Sequence, residues 1–149
     1  MLRLFALLLL TLSPLAAQSV PYGNNPAVGK TFVHDGVKLY YETYGSGEPL
    51  LLIHPNGTSI AAMKPQIEYF RNRYRIIAMD TRDHGKSADS PGTLTYEKMT
   101  ADLVALLDLL HVPAVNVIGW SDGGIEALLL GMKYPARVKK IAATGANLN

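Results

Sequence analysis

Gly119-Trp120-Ser121-Asp122-Gly123-Gly124 directly follows Val115-Asn116-Val117-Ile118, so a serine between two glycines closes a run that reads as a buried strand. A serine hydroxyl becomes a catalytic nucleophile only when it is held exposed beside a base, and a tight strand-to-helix turn does the holding. Such a turn crowds the residues two before and two after the serine. Gly119 and Gly123 answer that crowding by having no Cβ. The helix expected next, Ile125 to about Tyr134, points its N-terminal N–H groups where negative charge would develop. Alone, the pattern G-x-S-x-G also fits a glycine-rich turn with an exposed serine. The rest of the chain supplies the context.

Upstream, Leu50-Leu51-Leu52-Ile53, Ile76-Ile77-Ala78-Met79 and Val115 to Ile118 are short continuous apolar runs, which suit strands buried on both faces of a parallel sheet. Thr31 to His34 and Val37 to Thr43 read as strands joined by Asp35-Gly36, a two-residue hairpin signal, and Gly45-Ser46-Gly47 closes the hairpin. Met99, Leu103, Leu106, Leu107 and Leu110 recur at helical spacing after Thr95, an N-cap, with Glu97 in the first turn and Pro113 as the stop. Ser59 to Phe70 reads as an earlier crossover helix in which Pro65 implies a kink or a later start. Val138 to Thr144 reads as a further strand. The order is a hairpin followed by βαβαβαβ, which predicts an open, mostly parallel α/β sheet with helices on both faces.

In such a sheet ligands gather at the carboxyl ends of the strands. Three loops meet there: His54-Pro55-Asn56-Gly57-Thr58-Ser59, Asp80-Thr81-Arg82-Asp83-His84-Gly85-Lys86-Ser87, and the serine turn. Together they resemble the α/β-hydrolase family from about Thr31 to Asn149. The family's His-Gly loop is similar to His54 through Gly57, its Asp-x-Arg-Gly-His-Gly-x-Ser loop to Asp80 through Ser87, and its nucleophile elbow to Gly119 through Gly123. The longer Gly-Trp-Ser-Asp-Gly-Gly, with Lys133-Tyr134-Pro135 and Thr144-Gly145-Ala146-Asn147, resembles the valacyclovir-hydrolase-like branch, which cleaves amino-acid esters.

The resemblance implies acyl transfer on a small-molecule ester or amide, with Ser121 as nucleophile and no cofactor or metal. It implies an oxyanion hole from the backbone N–H groups of Asp122 and Asn56. His54 and His84 are implied to hold loop geometry. The Asp122 carboxylate either pairs with a substrate ammonium or stabilises the dipole of its helix. Two residues depart from the family pattern. Pro55 replaces a glycine and has no N–H to donate, and Asp83 replaces the glycine before His84. The family places its acid and its histidine after the nucleophile. Here His34, His54, His84 and His111 all precede Ser121, no acidic residue follows Glu126, and 28 residues follow the serine. His34 and His111 read as surface or strand-end residues. The expectation is therefore the N-terminal part of a hydrolase domain, residues 31–149, with its C-terminal strands and cap missing. The alternative is a non-catalytic remnant or binding module that keeps the sheet.

Composition narrows the class. At 48% apolar and 17% charged the 149 residues fit one globular domain, and a net charge of +2 with no Lys/Arg block argues against nucleic acid. With no cysteine there is no disulfide framework and no thiolate metal site. Gly85-Lys86-Ser87 echoes the end of a phosphate-binding loop, but the glycine required five positions earlier is Asp80, an anion. At the N-terminus Arg3 precedes the apolar run Leu4 to Leu12, and Ala16-Ala17-Gln18-Ser19 follows. That is the order of a secretory signal peptide, residues 1–19, with an apolar run too short for a permanent membrane span. Cleavage after Ala17 and after Ser19 both fit. The expected location is secreted or periplasmic, with an irregular lead-in over residues 20–30.

Overall fold

The computed structural model describes residues 19–147, so the signal peptide expected at the N-terminus lies almost wholly outside the described residues. Six strands form one sheet: β1 (Lys30–His34), β2 (Val37–Tyr44), β3 (Glu48–Ile53), β4 (Tyr74–Asp80), β5 (Val115–Trp120) and β6 (Val138–Thr144). Their order across the sheet is β1-β2-β4-β3-β5-β6. The β1–β2 and β2–β4 pairs are antiparallel, and the β4–β3, β3–β5 and β5–β6 pairs are parallel. Gly45-Ser46-Gly47 therefore leads β2 into β3, which are not neighbours, because β4 lies between them. The hairpin turn has Asp35 at φ 48° and Gly36 at φ 74°, the double left-handed geometry that fits the strand twist.

The continuous apolar runs are buried on both sides by simple alternation. Leu51, Ile53, Ile77, Met79, Val115 and Val117 face helices α2 (Tyr96–Leu109) and α3 (Asp122–Lys133) through Leu103, Leu106, Leu107, Ala127 and Leu130. Leu50, Leu52, Ile76 and Ala78 face the other way, onto α1 (Lys64–Phe70) through Ile67 and onto Ile60, Met63 and Tyr22. The sheet thus has helices on both faces. Pro65 resolves into a later start: a 3₁₀ turn covers Ile60–Met63, and the α-helix begins at Lys64 with the proline in its first turn. Proline is tolerated there because the first-turn N–H has no intrahelical acceptor. Thr95 caps α2 by accepting from the Lys98 N–H at 3.2 Å.

The lead-in carries no strand until Lys30, yet it is pinned. Glu42 is fully buried on β2 and accepts from the N–H groups of Gly23 (2.8 Å) and Asn25 (2.9 Å) and from the Tyr40 and Tyr44 hydroxyls (both 2.7 Å). Four donors on one carboxylate offset the cost of burying it. Among the described residues no helix is long and apolar enough to cross a membrane.

Candidate active site

The serine turn stands at the carboxyl end of β5. Ser121 adopts φ 55°, ψ −118°, a region that costs a non-glycine residue energy and persists only where its surroundings impose it. Those surroundings are visible. The Ser121 N–H donates to the Thr144 carbonyl on β6 at 2.8 Å, and the Ser121 carbonyl accepts from Gly124 (2.8 Å) and Ile125 (3.1 Å). A Cβ on Gly119 would overlap the Gly123 carbonyl, and one on Gly123 would overlap the Ile53 carbonyl. Both glycines are required by close approach. Helix α3 starts at Asp122, three residues earlier than the sequence suggested, so Asp122 is its first residue. Its N–H is one of the donors a helix cannot satisfy internally.

The loop after β3 is tied inward. His54 is buried; its Nε2 accepts from the Thr81 N–H at 3.1 Å, and its Nδ1 lies 2.9 Å from the Pro55 carbonyl. That pattern assigns the proton to Nδ1. Burial pushes the imidazole down to about 4, against the Pro55 hydrogen bond, so it is neutral at physiological pH. Pro55 donates nothing, but its carbonyl holds both His54 and the Thr58 hydroxyl, the latter at 2.7 Å. Asn56 stays exposed beside this knot, with Oδ1 2.9 Å from His84 Nε2.

In the loop after β4, the buried Asp80 carboxylate accepts from the Ile60 N–H at 2.7 Å and the Lys86 N–H at 2.8 Å. Burial raises its pKa and these two bonds oppose the rise. A Cβ at Gly85 would collide with the same carboxylate. Asp83, where the family pattern has glycine, takes the left-handed conformation at φ 65° and accepts from the Ser90 N–H and hydroxyl. Aspartate tolerates this region better than most side chains. The turn before His84 is thereby kept. His84 Nδ1 lies 2.9 Å from the Arg82 carbonyl, and its ring centre is 5.4 Å from that of His54.

Two features escaped the sequence. Arg82 and Asp102 form a buried two-point ion pair that His34 joins with Nδ1 2.7 Å from Asp102 Oδ1. His34 does end a strand, as read, but it is a partner in this cluster. The second is Glu126, buried on α3 in a helix whose other residues are mostly apolar. The signal available in the sequence was polarity at Asp102 and Glu126, helix positions otherwise facing the core.

A cavity of about 230 Å³ draws on all three loops and on α2: His54, Asn56, His84, Tyr96, Asp122 and Glu126 are in its wall. Ser121 is not in that wall; it precedes Asp122 by one residue. Among the described residues no group of three or more His, Asp or Glu could hold a metal.

A doubly covered, mostly parallel sheet, with its cavity at the strand ends and a serine turn leading into a helix, defines an α/β protein with a loop-built site. The α/β hydrolase fold family model matches residues 48–149. The chain belongs to that family. It is 34% identical over 113 residues to 3-oxoadipate enol-lactonase 2 of Acinetobacter baylyi, covering 74% of this chain and 42% of that protein. It is 34% identical over 141 residues to the serine hydrolase BPHL of Mus musculus, covering 90% of this chain and 48% of that protein. The enol-lactonase structure from Burkholderia xenovorans superposes with a TM-score of 0.72 at 27% identity, covering 75% of this chain and 45% of that one. The chain spans less than half the length of each of these relatives.

Proposed function

We propose that this chain carries the nucleophile of an exported serine hydrolase acting on carboxylic esters, amino-acid esters among them. The observation that carries the reading is the left-handed backbone of Ser121 at the strand-to-helix turn, a strain with no structural use if the hydroxyl does nothing. In the reaction, Ser121 Oγ attacks the ester carbonyl carbon and a base takes its proton. The alkoxide leaves with a proton, and water then cleaves the acyl-enzyme. The Asp122 N–H and an N–H at Asn56 receive the developing oxyanion. His54 and His84 keep the two flanking loops in place. The Asp122 carboxylate, in the cavity wall, is set to meet a substrate ammonium; the relatives' names, a lactonase and a serine hydrolase, agree with ester-type chemistry. Export rests on the order of residues 1–19.

One observation favours a second reading, a sheet that binds but does not turn over. Both site histidines have their ring nitrogens engaged. Phosphonate labelling decides between them. A serine-directed fluorophosphonate should modify Ser121 in the intact protein, located by peptide mass spectrometry, and Ser121→Ala should abolish it. An unlabelled Ser121 under conditions that label a control esterase would overturn the hydrolase reading.

A further inference from the structure

Glu126 stands one turn beyond Asp122 on α3, and side chains four residues apart share a helix face. Both are in the wall of the cavity described above. Glu126 is only 1% exposed, and its Oε2 is buried without a hydrogen-bond partner. Native proteins leave few such atoms unpaired, and each has a cause. A buried carboxyl with one unpartnered oxygen in a cavity wall is one a ligand can complete.

The surrounding charge selects the ligand. Burial first, then Asp122 and Asp102, raise the Glu126 carboxyl well above the ordinary range and favour its neutral form. From α2, Asp102 is already paired with Arg82 and hydrogen-bonded to His34, while Tyr96 is raised by burial and then by Asp122. From the loops, His54 is neutral and His84 is engaged with Arg82 and Asn56. Among the described residues no Lys or Arg pairs with Asp122 or Glu126. The wall is therefore short of positive charge and holds a proton that a cation would displace.

We propose that Glu126 and Asp122 together seat a compact cation of the ligand, a primary ammonium, and that Glu126 releases its proton to solvent as the cation arrives. The exchange balances: neutral carboxyl and free ammonium become a carboxylate–ammonium pair plus one proton in the buffer. The Asp122 half rests on the reading above; the Glu126 half adds a second carboxyl and a counted proton.

The test is calorimetry on the whole chain at pH 7, with n-butylammonium chloride and 1-pentanol as probes. Running it in phosphate and in HEPES, neither of which carries a primary ammonium, counts protons, because the two buffers take up a proton with different heats. The ammonium should bind at least tenfold tighter than the alcohol, as charge-assisted hydrogen bonds allow, and release about one proton per ligand. Glu126→Gln should weaken ammonium binding about tenfold and abolish the release, while Asp122→Asn weakens binding and leaves the release. Selective ammonium binding without proton release would overturn the role of Glu126 and leave that of Asp122 standing. No preference for the ammonium would remove both. The proton count on the unaltered chain needs no variant, so a poorly folding Glu126→Gln does not shield the proposal.

Discussion

Arg82 grips Asp102 at two points, Nε to Oδ2 at 2.7 Å and Nη2 to Oδ1 at 2.8 Å, with both side chains nearly or wholly out of water. The pair joins the loop after β4 to α2 and so fixes the loop that carries His84. Removing one partner strands a buried charge. Arg82→Met alone should cost about 3–5 kcal/mol, and Arg82→Met with Asp102→Leu should cost much less. Urea unfolding of the two variants measures the difference. Equal losses would mean that the pair is not a coupled unit.

The glycines at the serine turn should respond to a methyl group differently from Gly36. Gly123→Ala and Gly119→Ala drive a Cβ into backbone carbonyls, so each should cost several kcal/mol or prevent folding. At Gly36 a Cβ meets open space and only the φ of 74° opposes it, at about 1 kcal/mol. Ser121→Gly relieves the strained φ and should exceed Ser121→Ala in stability by about 1 kcal/mol while destroying any hydrolysis. Melting temperatures of the five variants rank these effects.

Two buried groups make stability depend on pH in opposite senses. The folded-state pKa of His54, about 4, lies below its ordinary value, so its contribution is present above about 6.5 and is lost as pH falls toward 4. The loss should be about 3 kcal/mol in that window. The folded-state pKa of Glu126 is raised, so the protonated carboxyl contributes fully below the ordinary carboxylate range and less as pH rises through its folded value. Glu126→Gln should therefore gain on the unaltered chain with rising pH. A difference between the two that is flat from pH 4 to 9 would contradict the buried acid.

Residues 1–149 by themselves should hydrolyse p-nitrophenyl acetate only weakly. Without a histidine after Ser121 the serine keeps an alcohol's low nucleophilicity, and an incomplete triad retains only the catalysis of binding and oxyanion stabilisation. Rapid turnover by purified monomer that vanishes in Ser121→Ala would place the base upstream, with His84 and His54 the residues to replace. Intact-mass analysis of exported material should find a mature start after Ala17 or Ser19; recovery of soluble protein that still begins at Met1 would argue against export.

The sheet was legible because its strands are buried on both faces, so Leu50 to Ile53 shows as an unbroken apolar run whichever side each residue meets. The hairpin was legible because Asp-Gly suits only a few turns. The start of α3 was not. Asp122-Gly123-Gly124 looks like a break when read for helix propensity, yet Gly123 is there to pass the Ile53 carbonyl, and the helix begins regardless. The Arg82, Asp102 and His34 cluster was invisible for another reason. Its members lie 20 and 68 residues apart, and no local pattern joins them. Glu126 is not legible because one acidic residue in an apolar helix ordinarily marks a solvent face, and here that face meets α2 and the cavity.

The bond from the Ser121 N–H to the Thr144 carbonyl makes the reactive turn a tenant of the outermost strand. Among the described residues β6 pairs with β5 alone and most of it is open to water, and a strand paired on one side frays more readily than one with neighbours on both sides. When β6 lifts, the serine loses the latch on its amide and the reason to keep its strained backbone. The exchange rate of that single amide hydrogen thus gauges the docking of the whole strand, and whatever pairs along the margin of β6 would tighten the turn without touching it.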